Sequence, residues 1–185
     1  MSPLELNDIL SKHRKWSNGE DGGERVDLNG ANLTDANLRG ANLTCANLND
    51  ADLTDADLTV ADLNDADLTG ANLYRANLRD ANLTDANLRG VNLTGANLTG
   101  ADLDRANLTG ADLDVKNPPI NDHSFVSEIL FRESTNYKQR SWAGSIKIST
   151  DWCWGDFLDN CPKPMITWAK KILVGKWPEF EEKFK

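Results

Sequence analysis

Residues 51–70 read ADLTDADLTVADLNDADLTG, a stretch in which alanine, aspartate and leucine return in the same order every five residues. The register extends in both directions, so that leucine occupies every fifth position from Leu28 to Leu113, 18 times without interruption. Alanine precedes each leucine by two residues except at Val26 and Val91, and Asn or Asp always stands between them. The chain therefore contains a tandem repeat, A-[ND]-L-x-x, over residues 26–115.

A period of five fits neither a single helix nor a single strand. In an α-helix, a step of five residues would spread the leucines around all sides and leave no apolar stripe. In one continuous strand, successive leucines would point to opposite faces, because five is odd. A short extended A-[ND]-L segment followed by a corner at x-x places every alanine and leucine on the inside. The corner positions are rich in Gly, Asp, Asn and Thr, which favour turns.

An uninterrupted A-[ND]-L-x-x run resembles the pentapeptide repeat family, and here it covers 90 of 185 residues. The resemblance implies a right-handed quadrilateral parallel β-helix with four pentapeptides per coil, so the 18 repeats would make about 4.5 coils. Coils stacked at ~4.8 Å would give a rod roughly 22 Å long. We expect the leucines to stack inside this rod. The leucines assigned to the middle of the core are Leu48, Leu53, Leu58, Leu63, Leu68, Leu73 and Leu78.

Residues 1–25 are predicted to form an N-terminal capping helix and a loop. Ser2-Pro3-Leu4-Glu5 matches a capping box with proline at the first helical position, and apolar residues follow at helical spacing. The helix is expected over residues 3–16. His13 lies on its apolar face, where we interpret it as a partly buried polar residue of the cap rather than as a ligand.

Residues 116–185 are predicted to form a small α-helical domain. The leucine repeat stops at Lys116, and five of the six tryptophans follow. Four helices are expected: one after Asp122 or Ser124, one near 136–147, one at DWCWGDFL and one from Pro164 to Gly175. We expect this domain to cover the last coil, and the alternative is a partner-binding or dimerising surface that uses some of the tryptophans.

Charge and composition argue against several classes of protein. The net charge of −9 argues against direct binding to nucleic acid or to an anionic membrane. The sequence has no run of 18 apolar residues and no signal peptide, and its three cysteines are too few for a disulfide framework. We therefore expect a cytoplasmic protein.

No arrangement typical of catalysis or of metal binding is found in the sequence. The two histidines lie outside the repeats, and no phosphate-binding loop, zinc-ligand spacing or EF-hand spacing occurs. We therefore predict a protein that is not an enzyme and that needs no cofactor and no metal.

Most of the negative charge lies on the repeats. Residues 26–115 contain 15 aspartates and five arginines, whereas the rest of the chain is nearly neutral. One part of the rod has carboxylates and no basic residue among them, and it is the candidate acidic partner-binding surface. Its members are Asp50, Asp52, Asp55, Asp57, Asp62, Asp65 and Asp67. The alternative interpretation is a solvated surface that only keeps the rod soluble.

Two functions follow from these features. The first is a structural or protein-interaction solenoid with an unassigned protein partner, and a monomer is favoured. The second comes from the resemblance: some family members mimic DNA and bind DNA gyrase or topoisomerase IV. A net −10 over roughly 22 Å is about 0.45 charge per Å, against about 0.6 for duplex DNA. The short rod and the domain after it argue against DNA mimicry. Ice binding is disfavoured because Tyr74 and Asp114 interrupt the outward threonine row.

Overall fold

The chain comprises two compact units, Met1–Pro119 and Ile120–Lys185. The computed structural model describes residues 2–113, 163–178 and 181. The first unit contains helix α1, Pro3–Ser17, and the leucine repeats, and the second contains helix α2, Lys163–Lys176. Neither helix combines the length and the apolar character that crossing a membrane requires.

The repeats wind into coils of 20 residues. The residue before each leucine forms a parallel β-bridge with the residue 20 positions later, from Asp27↔Asn47 to Asn92↔Asp112. Each bridge is one residue long and is followed by a turn, so each side of the rod is a stack of one-residue strands. Four pentapeptides therefore complete one coil, and the coil has four sides.

Backbone hydrogen bonds join each coil to the next. Leu68 N–H donates to the carbonyl of Asn87 at 2.8 Å, and Asp67 N–H donates to the carbonyl of Ala46 at 2.9 Å. The corner is closed by a turn in which Ala71 N–H donates to the Leu68 carbonyl at 2.9 Å. This pattern repeats along the rod, so the backbone groups of the inner coils are paired above and below.

The second corner residue has a left-handed backbone in every repeat whose corner the structure describes. Its φ lies between 55° and 75° at each such position from Gly30 to Gly110. Glycine and, to a smaller degree, aspartate and asparagine adopt this conformation readily, which explains the composition of the corners. Val60, with φ 59°, is the β-branched exception. At Gly70, a Cβ would collide with Asp50 Oδ1, so the exposed Asp50 side chain would have to rotate away.

The core is a stack of leucines filled out by alanines. All seven leucines assigned to the middle of the core are 0% exposed, and Val91 is equally buried. Full burial of a leucine side chain contributes about 1.5–3 kcal/mol, so the stack is the main source of stability in the rod.

Helix α1 begins with the capping box that the sequence indicated. Ser2 Oγ accepts from Glu5 N–H at 3.3 Å, and the Glu5 carboxylate accepts from Ser2 N–H at 2.8 Å. These hydrogen bonds lower the pKa of Glu5, that from the Ser2 backbone most strongly. The helix ends at Ser17, one residue beyond the predicted end, and the Asn18 N–H donates to the Arg14 carbonyl.

Helix α1 covers the first coil only in part. Leu6 and His13 are the buried side chains of α1 among those described, and Asn42 Nδ2 donates to Ser17 Oγ at 3.1 Å. Three alanines of the first coil are nevertheless only half-buried, unlike those of the inner coils: Ala31, Ala36 and Ala41. Part of the edge of the first coil is therefore open.

Helix α2 coincides with the fourth helix predicted for the C-terminal segment, and it ends one residue later. Ala169 and Leu173, one turn apart, are both fully buried, and Trp177 just after the helix is 5% exposed. The other three predicted helices fall outside the described residues.

Candidate interaction surface

The seven candidate aspartates occupy two different positions in the repeat. Four of them directly precede a leucine, and we call these the ladder aspartates: Asp52, Asp57, Asp62 and Asp67. Three of them are the second corner residue, and we call these the corner aspartates: Asp50, Asp55 and Asp65. The ladder aspartates are half-buried and the corner aspartates are exposed, so the two groups meet different surroundings.

Each ladder aspartate accepts hydrogen bonds that hold the local fold. Asp52 Oδ1 accepts from Thr54 N–H at 3.1 Å and from Thr54 Oγ1 at 2.6 Å. The Asn72 side-chain amide, one coil further on, donates to the same oxygen at 3.2 Å. The first of these bonds closes an Asx turn, which sets the direction of the corner. The equivalent asparagines along the rod also accept from the backbone, as Asn92 does from Thr94 at 2.9 Å.

The hydrogen bonds favour the charged form of three ladder aspartates, Asp52, Asp57 and Asp67. The Thr54 hydroxyl, followed by the Thr54 N–H, lowers the pKa of Asp52, and Thr59 does the same for Asp57. For Asp67, burial raises the pKa, but the hydrogen bonds led by those from Thr69 outweigh it. These carboxylates therefore stabilise the rod by accepting hydrogen bonds. Much of their ability to accept further hydrogen bonds is already used within the rod.

The corner aspartates are exposed on the rod, and the Asp50 carboxylate extends toward Gly70 of the next coil. All three have φ near 55°, which fixes the backbone from which each side chain projects. Asp55 forms an ion pair with Arg75 of the next coil at 3.1 Å. Asp50 and Asp65 have no ion-pair partner among the described residues. They are the freest of the seven candidates for contact with another molecule.

Arginines neutralise more of the aspartate charge in the later coils than in the second coil. Arg105 pairs with Asp85 through two hydrogen bonds of 2.6 Å, which raise the pKa of Arg105 and lower that of Asp85. Arg79 pairs with Asp80 at 3.2 Å. Among the seven candidates, Asp50 and Asp65 therefore keep exposed carboxylates that no arginine of the described residues pairs with.

Two apolar side chains interrupt the polar surface of the rod. Val60 is 54% exposed, and Tyr74 is 40% exposed with the Arg75 guanidinium 5.9 Å from its ring centre. They occupy the corners at the two ends of one side of the rod, in neighbouring coils. Both residues break the polar pattern of the corners, so the sequence alone indicates them as exceptions.

The described residues contain no group of three or more His, Cys, Asp or Glu side chains placed to hold a metal ion. Cys45 lies at a corner of the first coil, is half-buried and forms no disulfide.

Comparison with known proteins identifies the class of this fold. The family model described as pentapeptide repeats matches in eight copies, over residues 24–59, 61–100 and 81–114. A pentapeptide repeat protein from the cyanobacterium Cyanothece 51142 is 42% identical, with 53% of this chain and 68% of that chain covered and a TM-score of 0.50. The chain therefore belongs to the pentapeptide repeat family, and its rod is a right-handed quadrilateral β-helix.

Other matches extend over similar lengths. A pentapeptide repeat protein from the Arabidopsis thaliana thylakoid lumen is 34% identical, covering 51% of this chain and 69% of that chain with a TM-score of 0.48. QnrB1, a plasmid-mediated fluoroquinolone resistance protein, is 20% identical, covering 47% of this chain and 58% of that chain with a TM-score of 0.23. No curated protein sequence matches the chain.

Proposed function

We propose that the rod is a non-enzymatic protein-interaction solenoid, and that it binds a basic partner surface through the corner aspartates. The observation that carries this proposal is that Asp50 and Asp65 are exposed on fixed corners and lack an ion-pair partner among the described residues. Helix α1 serves as the N-terminal cap of this rod. The protein is proposed to act as a cytoplasmic monomer.

Rigidity supports a binding function for these two side chains. Each corner is held by a turn and by hydrogen bonds to the next coil, such as Asp50 N–H to the Thr69 carbonyl at 2.9 Å. A charge on a rigid backbone loses little conformational freedom when a partner binds. Complementary charge also raises the association rate of two proteins.

The ladder aspartates have a smaller share in this surface. Their oxygens already accept hydrogen bonds from the rod, so a partner would compete with bonds such as that from Thr54 to Asp52. We therefore assign them to the fold and to the background negative field, and we assign partner contacts to the corners.

Modulation of DNA gyrase or topoisomerase IV by DNA mimicry is the second candidate. It is favoured by one observation, the charge density of about 0.45 per Å along the rod against about 0.6 for duplex DNA. This density is a net value, so it already includes the arginines that pair with Asp55, Asp80 and Asp85.

The test is affinity capture from extracts of the source cells, with partners identified by mass spectrometry. The informative variant is Asp50→Asn/Asp65→Asn, because asparagine keeps the size and tolerates the left-handed backbone. The matched control is Asp35→Asn/Asp80→Asn, which changes the same number of charges at corners of the same conformation, φ 58° and 57°.

We expect one dominant partner that the wild type and the control variant retain and the Asp50/Asp65 variant loses. Equal capture by both variants would contradict the proposed surface. Each protein is also titrated into a gyrase supercoiling assay, in which inhibition that depends on Asp50 and Asp65 would identify gyrase as the partner.

A further inference from the structure

His13 is the one fully buried titratable side chain that the proposed function does not use, among the residues described. It is 0% exposed and lies between α1 and the first coil. Its Nδ1 accepts a hydrogen bond from the Val26 N–H at 3.1 Å, and Val26 is the first residue of the repeats. The Trp16 ring stacks on the imidazole, with ring centres 5.2 Å apart and an interplanar angle of 15°.

This geometry requires the neutral imidazole. A nitrogen that accepts a hydrogen bond carries no proton, so protonation of Nδ1 would set an N–H against the Val26 N–H. His13 Nε2 is also buried, and its contact with the Thr44 backbone falls short of a full hydrogen bond. A positive charge at this site would therefore be both desolvated and without an acceptor at Nδ1.

The charged surroundings do not offset that cost. Burial lowers the pKa of His13, the Thr44 backbone carbonyl raises it, and the Arg25 guanidinium lowers it further. Lys12 on α1 is engaged with Glu24 at 3.5 Å and with Asp8 at 3.9 Å. The charged or titratable groups of the surrounding elements are Lys12, Arg14, Glu24, Arg25, Asp27 and Cys45.

Several other contacts accompany His13. Leu6 of α1 is buried and Leu10 is half-buried, Asn42 donates to Ser17, and Glu24 N–H donates to the Lys12 carbonyl at 3.2 Å. The loop after α1 passes so close to the helix that a Cβ at Gly23 would collide with the backbone of Trp16. The bond between His13 and Val26 is a buried hydrogen bond that joins α1 to the first residue of the repeats, so its loss weakens the attachment.

We infer that α1 is a pH-releasable cap, held on the first coil by neutral His13 and freed when the imidazole is protonated. Release exposes the edge of the first coil, which α1 already covers only in part at Ala31 and Ala36. This device is independent of the proposed partner surface, because the corner aspartates lie in the second coil.

The direction of the pH effect follows from linkage. A histidine whose pKa is lower in the docked state than its ordinary 6.5 favours docking fully above about pH 6.5. Docking weakens as the pH falls below that value, by at most about tenfold per pH unit, until the docked form is itself protonated.

The experiment is amide hydrogen exchange of the full chain between pH 7.5 and 5, followed by NMR and corrected for the intrinsic pH dependence of exchange. We expect the protection of the Val26 amide and of α1 to fall severalfold across this range, while the Leu68 amide in the core stays protected. His13→Asn places an oxygen where Nδ1 lies but does not titrate, so its protection is expected to be independent of pH.

Two further variants complete the test. His123→Gln removes the other histidine and should behave as the wild type, and Gly23→Ala should leave α1 poorly protected at both pH values. Protection that does not change with pH in the wild type, or that falls equally in His13→Asn, would overturn the inference.

Discussion

Replacing Val60 with asparagine should stabilise the rod, although valine is more apolar than asparagine. Val60 has φ 59°, and the left-handed region costs an L-residue roughly 1–2 kcal/mol, with β-branched side chains at the upper end. Burial of the Val60 side chain offsets little of this backbone cost, since the residue is 54% exposed. Asparagine tolerates the same backbone and adds no charge, so Val60→Asn is expected to raise the free energy of unfolding by about 1 kcal/mol.

Two companion variants separate the backbone effect from other causes. Val60→Gly removes the strain completely, but it loses roughly 0.4–1 kcal/mol through the greater freedom of the unfolded chain, so its gain should be smaller. Val60→Ile keeps the β-branch and the strain, and it should not stabilise.

Urea and thermal unfolding followed by circular dichroism measure these differences. A gain of 1 kcal/mol corresponds to a rise of about 4–8 °C in the melting temperature for a domain of 60–100 residues. If Val60→Asn melts at or below the wild type, or if Val60→Ile gains as much, strain at this corner is not the cause and the reasoning fails.

Three further outcomes are expected. Leu68→Asp places a carboxylate in the fully buried leucine stack and should abolish the cooperative unfolding of the rod; an unchanged melting curve would contradict the assigned core. Gly70→Ala should destabilise by about 1 kcal/mol, because alanine must adopt the left-handed backbone of Gly70 (φ +69), and a neutral result in urea unfolding would show that the corner adapts. The rod should also lose stability as the pH falls from about 4, because the ladder aspartates with lowered pKa contribute fully above their ordinary value and lose that contribution on protonation. Acid titration of their asparagine variants should show a shallower loss.

The sequence was sufficient for the inward leucines and for α1, because both rest on local spacing and on a capping motif. Spacing alone did not give four repeats per coil. That number came from the resemblance, and the bridges between residues 20 apart show it directly. Nothing local to one pentapeptide sets how many corners close a coil.

The candidate aspartates show where the sequence interpretation was too coarse. It treated all seven as one surface because it counted charge without using the register of the repeat. An aspartate directly before leucine, such as Asp52, accepts from the residue two positions on, whereas one two positions after leucine, such as Asp50, projects outward. The register was visible in the sequence, but the hydrogen bonds to the next coil were not.

His13 illustrates a different limit. Its position on the apolar face of α1 indicated partial burial, but its hydrogen-bond partner is a backbone N–H at Val26, 13 residues away. A pattern of side chains in the sequence does not predict which backbone N–H will donate to a buried side chain. Such contacts become visible only when the path of the loop is known.

The most direct test of this account is the free energy of unfolding of two sets of variants in urea. In the first, Asp52, Asp57 and Asp67 are changed together to alanine or to asparagine. In the second, Asp50 and Asp65 are changed to asparagine. For the alanine version of the first set, we predict that the free energy of unfolding falls by about 2–5 kcal/mol, by analogy with helix caps at about 1 kcal/mol each. For the asparagine version of the first set, and for the second set, we predict that it changes by no more than about 1 kcal/mol. Equal losses in the alanine set and the corner set would contradict the division between carboxylates that hold the fold and carboxylates that are free to bind a partner.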